Sequence, residues 1–151
     1  MAEIKVSLVN RQRKIRCDMA WLRQLAPVAL QRVLALPVRK GAVLATLPEV
    51  GVTIVSDARI AQIHADFMAI PDPTDVITFH HGEIIISAET AAANATRYRR
   101  SLDEEIALYL VHGLLHLHGY LDKSPADFAL MQKTQTAVLR FCLEAAKSKN
   151  R

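Results

Sequence analysis

The chain has 151 residues, 51% of them hydrophobic and 23% charged, with 19 Lys and Arg against 15 Asp and Glu for a formal charge of +4. That length suits one domain with its own core, and the composition excludes a disordered chain or a small disulfide-stapled scaffold. A modest positive charge is compatible with a polyanionic partner without requiring one. Cys17 and Cys142 have no CxxC spacing and read as reduced thiols of a cytosolic protein. No run approaches the roughly 18 apolar residues of a membrane helix. Met1–Asn10 lacks the basic-then-apolar order of a secretion leader. With no repeat and no linker, residues 1–151 are expected to form one domain with no membrane association.

In chain order, Ile4–Val9 alternates and is β-branched, the pattern of a strand with one buried face. The cluster Arg11, Arg13, Lys14 and Arg16 follows, either as a solvated connection or as a contact for RNA phosphates. Asp18 to Leu36 has apolar residues at helical spacing behind an Asp18 N-cap, and Pro27 predicts a kink or a division into two helices. Residues 37–50 hold two prolines and a glycine, and periodicity does not decide their structure. Gly51–Val55 reads as a second strand. Ser56 or Asp57 then caps a short helix to about Phe67, with Ile60, Ile63 and Phe67 turned inward. Pro71–Phe79 is a proline-stiffened turn feeding a third strand, and Gly82–Ser87 is a fourth, apolar enough for a buried position in the sheet. The connection His80-His81-Gly82 makes a hairpin of these two strands, with both imidazoles expected in solvent.

Ala88–Arg100 reads as a helix ending in Arg97, Arg99 and Arg100. These arginines either complement the helix dipole as a solvated turn or contact RNA. Ser101 and Glu104 form a capping box for the next helix, Leu102–Leu117. After it, Ser124-Pro125 starts a last helix with Pro at its first position. The apolar face of that helix is expected to carry Phe128, Met131, Val138, Leu139, Phe141 and Cys142, with a slip in spacing near Thr134 and a frayed basic tail over Lys147–Arg151. Trp21 and Tyr98 could stack on bases, yet a lone aromatic more often belongs to the core.

Chemistry concentrates at the end of Leu102–Leu117, in the pattern HxxxHxxGxxD. His112 and His116 lie four apart and so share a helix face, where two imidazoles can bind one metal ion. Gly119 can take a left-handed C-cap conformation, and the turn it makes can bring Asp122 back to the same point. The three make a metal site with an open fourth position. His118, two residues after His116, points elsewhere on a helix and is expected to be a bystander. Metzincin peptidases share this spacing but carry Glu, the general base, after the first His; here that position is Gly113.

The stretch His112-Gly113-Leu114-Leu115-His116-Leu117-His118-Gly119-Tyr120 resembles much more closely the HGxLHLxGYDH signature of the YbeY family of bacterial single-strand-specific endoribonucleases. The family's PTDVLSF and following Gly-Asp-Ile are similar to Pro73–Phe79 and Gly82-Glu83-Ile84. The resemblance covers residues 50–140 well and the first 50 in layout. It implies an α+β fold in which a small four-stranded mixed sheet is packed by helices and the metal helix borders a cleft. It also implies one Zn²⁺ per chain, with single-stranded ribosomal RNA or the ribosome as partner, in a cytoplasmic monomer. The family's third His falls on Asp122, an acceptable Zn ligand. The family Arg thought to act on the RNA phosphate falls on Met68, and an Asp two before the motif's Pro falls on Pro71. A thioether cannot donate to phosphate, so Arg97, Arg99 and Arg100 become the candidate RNA cations.

The expected function is therefore metal-dependent endoribonucleolytic hydrolysis in ribosomal RNA maturation and ribosome quality control. His112, His116 and Asp122 would hold the metal, and its water would be the only catalytic group. The alternative is a non-catalytic or weakly active RNA- or ribosome-associated protein that keeps the fold. A metallopeptidase is disfavoured by Gly113.

Overall fold

The computed structural model describes residues 3–70 and 72–149, with side chains through residue 147. Four strands, β1 (Lys5–Asn10), β2 (Glu49–Val55), β3 (Val76–Phe79) and β4 (Glu83–Ser87), form one mixed sheet in the order β1-β2-β4-β3. β1 and β2 pair in parallel, as do β2 and β4, while β3 returns antiparallel along β4. This is the α+β class expected, with the apolar Ile84-Ile85-Ile86 run on an inner strand as its composition requires.

The helices are α1 (Met19–Leu34), α2 (Asp57–Met68), α3 (Ala88–Tyr98), α4 (Leu102–Leu117) and α5 (Pro125–Lys149). Local signals set most of their starts. The side chains of Asp18, Ser56, Ser87 and Ser101 each accept a hydrogen bond from a backbone N–H in the first turn. Only half of the Ser101 capping box forms, with Ser101 Oγ accepting from Glu104 N at 3.1 Å. Glu105 turns back instead to pair with Arg100.

α4 is the central helix, packed between the sheet, α1, α3 and α5. From Glu105 to Leu117 nearly every residue is buried, and the exceptions are His112 and His116. Gly113 explains how the helix lies so close to the sheet. A Cβ at that position would stand 2.7 Å from Ile84 Cδ1 and 3.0 Å from Ile84 Cγ1 and Cγ2. The small residue after His112 is therefore a packing surface for β4.

Several expectations are corrected. Of the two alternatives expected at Pro27, division into two helices does not occur: α1 is one helix, Met19–Leu34, with an exposed Pro27 inside it. Ile60 and Ile63 of α2 pack on Val55, Ile77 and Ile85 of the sheet as expected, but Phe67 lies outside that cluster and is 70% exposed. Its ring meets Phe79 edge-on at 5.5 Å rather than entering the core. Phe128 and Phe141 are exposed too, the latter beneath the Arg32 guanidinium. α3 ends at Tyr98, two residues early, with Arg99 in the left-handed region at φ 57°. β2 begins at Glu49, and the undecided 37–50 segment holds one 3₁₀ turn, Leu44–Thr46. α5 runs on through Lys149, so Lys147–Lys149 are helical; Asn150 and Arg151 lie outside the described residues, as does Pro71.

Candidate metal centre

The metal helix ends in a turn that builds the site. Gly119 takes φ 96°, its N–H donates to His116 O at 3.0 Å, and Tyr120 N donates to Leu115 O at 2.9 Å. This paired closure needs a left-handed residue after the helix, and Gly supplies it without steric cost. Glycine is required twice over, since a Cβ there would stand 2.5 Å from Arg39 O. The turn carries Tyr120 O onto His116 Nδ1 at 2.8 Å and folds Asp122 back toward the helix.

The result is a compact triangle. His112 Nε2 and His116 Nε2 are 2.9 Å apart, and Asp122 Oδ2 is 3.2 Å from His116 Nε2 and 3.3 Å from His112 Nε2. Each imidazole is oriented through its other nitrogen. His112 Nδ1 donates to Gln135 Oε1 at 2.8 Å, and His116 Nδ1 donates to Tyr120 O. With Nδ1 protonated, both Nε2 atoms are bare electron pairs facing each other and a carboxylate oxygen. Three acceptors at these distances repel unless a cation lies among them. A tetrahedral ion with bonds of about 2.0–2.1 Å sets its ligands about 3.3 Å apart, so the donor set fits one. The three form a cluster able to hold a metal ion. They sit at the C-terminal end of α4, where the helix dipole favours positive charge. Burial, then His112, lowers the His116 pKa, partly opposed by Asp122; this keeps the imidazole neutral and available as a ligand.

The triangle lies in the wall of a cleft of about 560 Å³ between α2, β3 and the end of α4. Met68, in the position suggested for the family Arg, lines it, as does His80 from the hairpin. Thr78 and Asp75 of the Pro73–Phe79 motif face it as well. Lys123 is the one Lys or Arg lining it among the described residues.

The remaining sequence candidates lie elsewhere. His118 is buried, donates through Nε2 to Leu36 O at 3.0 Å, and stacks on Tyr120, so it braces the 36–39 loop and is outside the metal cluster. His81 stacks on Phe79 beside Glu83. Arg97, Arg99 and Arg100 sit before the N-terminus of α4, whereas the His112–His116–Asp122 cluster is near its C-terminus. At about 1.5 Å rise per residue, roughly 18 Å of helix separates them from His112, and none lines the cleft. Arg100 is already paired with Glu105 at 3.3 Å.

Sequence reasoning missed Gln135 and Lys123. Gln135 left a trace: it is a 6%-exposed polar residue at the point where the apolar spacing of α5 slips. Lys123 gave no signal beyond following Asp122.

Comparison with known proteins agrees with this architecture. Residues 7–142 match the family model described as Endoribonuclease YbeY. A Rhodopirellula baltica protein named Endoribonuclease YbeY is 40% identical over a match covering 60% of this chain and 52% of that protein. A relative of the same name from Desulfitobacterium hafniense is 37% identical, covering 60% of this chain and 69% of its own. The fold matches the solution structure of a Thermotoga maritima protein with TM-score 0.63 at 21% identity, over 97% of this chain and 93% of that one. The chain belongs to the YbeY endoribonuclease family.

Proposed function

We propose that this protein is a metal-dependent endoribonuclease that cleaves single-stranded ribosomal RNA in rRNA maturation and ribosome quality control. It would act in the cytoplasm as a monomer. The observation that carries the reading is the convergence of two oriented imidazoles and one carboxylate in the wall of an open cleft. His112, His116 and Asp122 hold a single divalent ion, with zinc favoured by the two nitrogen ligands. Such an ion would acidify a water and polarise a phosphoryl oxygen.

The chain's own groups do the rest. Gln135 and the Tyr120 carbonyl fix the two rings. Lys123, lining the same cleft, supplies positive charge for a phosphodiester bound there. Arg97 and Arg99, too far away for the reacting phosphate, serve as outlying phosphate contacts for a longer RNA.

Met68 favours a second reading. An apolar thioether in the position suggested for the family Arg suits an RNA- or ribosome-associated protein with little or no cleavage. Metal content by mass spectrometry, measured on the wild type, His116→Ala and Asp122→Ala, followed by cleavage of a labelled single-stranded RNA, separates the two. Near-stoichiometric metal lost in both variants, with cutting only by the loaded wild type, supports the enzyme. Loaded protein that binds RNA and leaves it intact supports the second reading. No metal after reconstitution rules out the centre.

A further inference from the structure

A second, smaller cavity of about 210 Å³ opens on the α5 side of the metal cluster. It shares His112, Asp122, Asp75 and Val76 with the main cleft, so both cavities border the same ligands. Leu108 and Tyr109 of α4 and Phe128, Gln132 and Gln135 of α5 line the rest of the smaller cavity. We propose that this cavity is a nucleobase subsite, in which one unpaired base of the RNA, next to the reacting phosphate, stacks on Phe128.

Three observations point this way. Phe128 is 53% exposed although it belongs to the apolar pattern of α5. A Phe left half in water forgoes part of its burial free energy, and here it lines one cavity with His112 and Asp122. The polar groups beside it are unspent. Asp75 Oδ1 accepts from Val76 N and Thr74 Oγ1, while its Oδ2 has no partner among the described residues. Gln132 Oε1 accepts from Gln135 Nε2 at 3.4 Å, and the Gln132 NH₂ donates to none of the described residues. A free donor and a free acceptor beside an aromatic face are what a base edge and its π-face need.

Size sets the strand state. The cavity falls below the about 300–1,000 Å³ of drug-sized pockets and suits one ring system, not a base pair. A base can enter only when unstacked and unpaired, so the subsite itself selects single strands. Phe128 and Gln132 are four apart on α5 and lie on one face, so one helix presents both the stacking and the hydrogen-bonding group.

The inference rests on RNA being the substrate, and the experiment separates the two claims. Metal-loaded protein is titrated with single-stranded oligoribonucleotides carrying 2-aminopurine at successive positions, and cleavage is followed on the same series with an abasic nucleotide at each position. For the wild type, fluorescence is quenched at a position adjoining the cleavage site. Phe128→Ala abolishes the quench and weakens binding roughly 5–100-fold, the range of one base stack, while Phe128→Tyr retains both. An abasic nucleotide at that position weakens wild-type binding by a similar factor and adds nothing in Phe128→Ala. That lack of additivity is something a purely structural role would not produce. Wild type that binds and cuts RNA with Phe128→Ala unchanged, or with abasic effects that simply add, overturns the subsite alone. Wild type that binds no RNA overturns the subsite and the proposed function together.

Discussion

His112 and His116 meet with their Nε2 atoms 2.9 Å apart and their rings crossed at 85°, each held by a carbonyl oxygen on its far nitrogen. The two supports differ in kind. Tyr120 O is backbone, fixed by the Gly119 turn, whereas Gln135 is a side chain brought from α5. Only the second can be removed by substitution. Gln135→Leu keeps the volume but leaves His112 Nδ1–H without an acceptor and its tautomer free, and losing such an outer partner costs about 10–100-fold in metal affinity. Competitive chelation should show weaker retention for Gln135→Leu and little change for Gln135→Glu, which still accepts. Equal affinity in all three proteins would remove Gln135 from the site.

In the proposed ligand set, Asp122 adds one oxygen and a negative charge to the two imidazole nitrogens. Harder ions gain from that exchange, and zinc loses part of its preference. Asp122→His should therefore raise zinc affinity and increase the ratio of zinc to manganese bound when both ions compete, as read by mass spectrometry. An unchanged ratio and affinity would mean that Asp122 is not a ligand.

The parts of this site readable in sequence are those set by local rules. The i, i+4 spacing of His112 and His116, the left-handed Gly119, the Ser101 cap and Pro125 at the start of α5 all depend on near neighbours in the chain, and all are found. What escaped depends on which surface a helix face meets. Ile60 and Ile63 are buried and Phe67 is not, because only the first two reach the sheet cluster of Val55, Ile77 and Ile85. Gly113 reads as a missing peptidase base in sequence, yet its reason is Ile84 on another element. Gln135 joins His112 across a separation of 23 residues, and only the packing of α5 on α4 pairs them.

The Gly113 contact can be tested by crowding it. Gly113→Ala gains up to about 1 kcal/mol of helix propensity, but its Cβ falls 2.7 Å from Ile84 Cδ1 in a fully buried spot. Overpacking of this kind costs about 1–3 kcal/mol, so the variant should melt a few degrees lower and hold metal less well as α4 moves off β4. Adding Ile84→Val removes Cδ1 and should recover part of both losses. A variant as stable as the wild type would show that α4 has slack at this point.

Cys142 predicts an alkaline weakness. Burial pushes its thiol up from 9.0 to about 11, with Arg32 partly opposing. Between those values the unfolded chain has released the proton that the folded chain retains. The unfolded state then binds fewer protons, and stability falls as pH rises, by up to about 1.4 kcal/mol per pH unit. The contribution is complete below pH 9 and lost as pH passes about 11. Urea midpoints at pH 8, 9 and 10 should decline for the wild type and decline less for Cys142→Ala, which starts lower because of its cavity. At pH 7 the buried thiol should also resist alkylation until the protein is unfolded.

Lys123 and Met68 line one cleft, and the charge balance there decides whether RNA can enter. A divalent ion together with Lys123 just offsets Asp75, Asp122 and Asp127 in the cleft wall. Without Lys123 the wall keeps a net negative charge and repels a phosphodiester. Lys123→Met should leave the metal content intact, lower kcat/KM by roughly 10–100-fold, about the 1.4–2.7 kcal/mol of a lost charge-assisted contact, and reduce the salt slope of RNA binding by about one phosphate. Met68→Arg places a second cation in the cleft lining and should restore much of that loss in the Lys123→Met background. Lys123→Met with unchanged cleavage and salt dependence would show that the ammonium lies outside the path of the substrate, and Met68→Arg with no effect in either background would exclude position 68 as well.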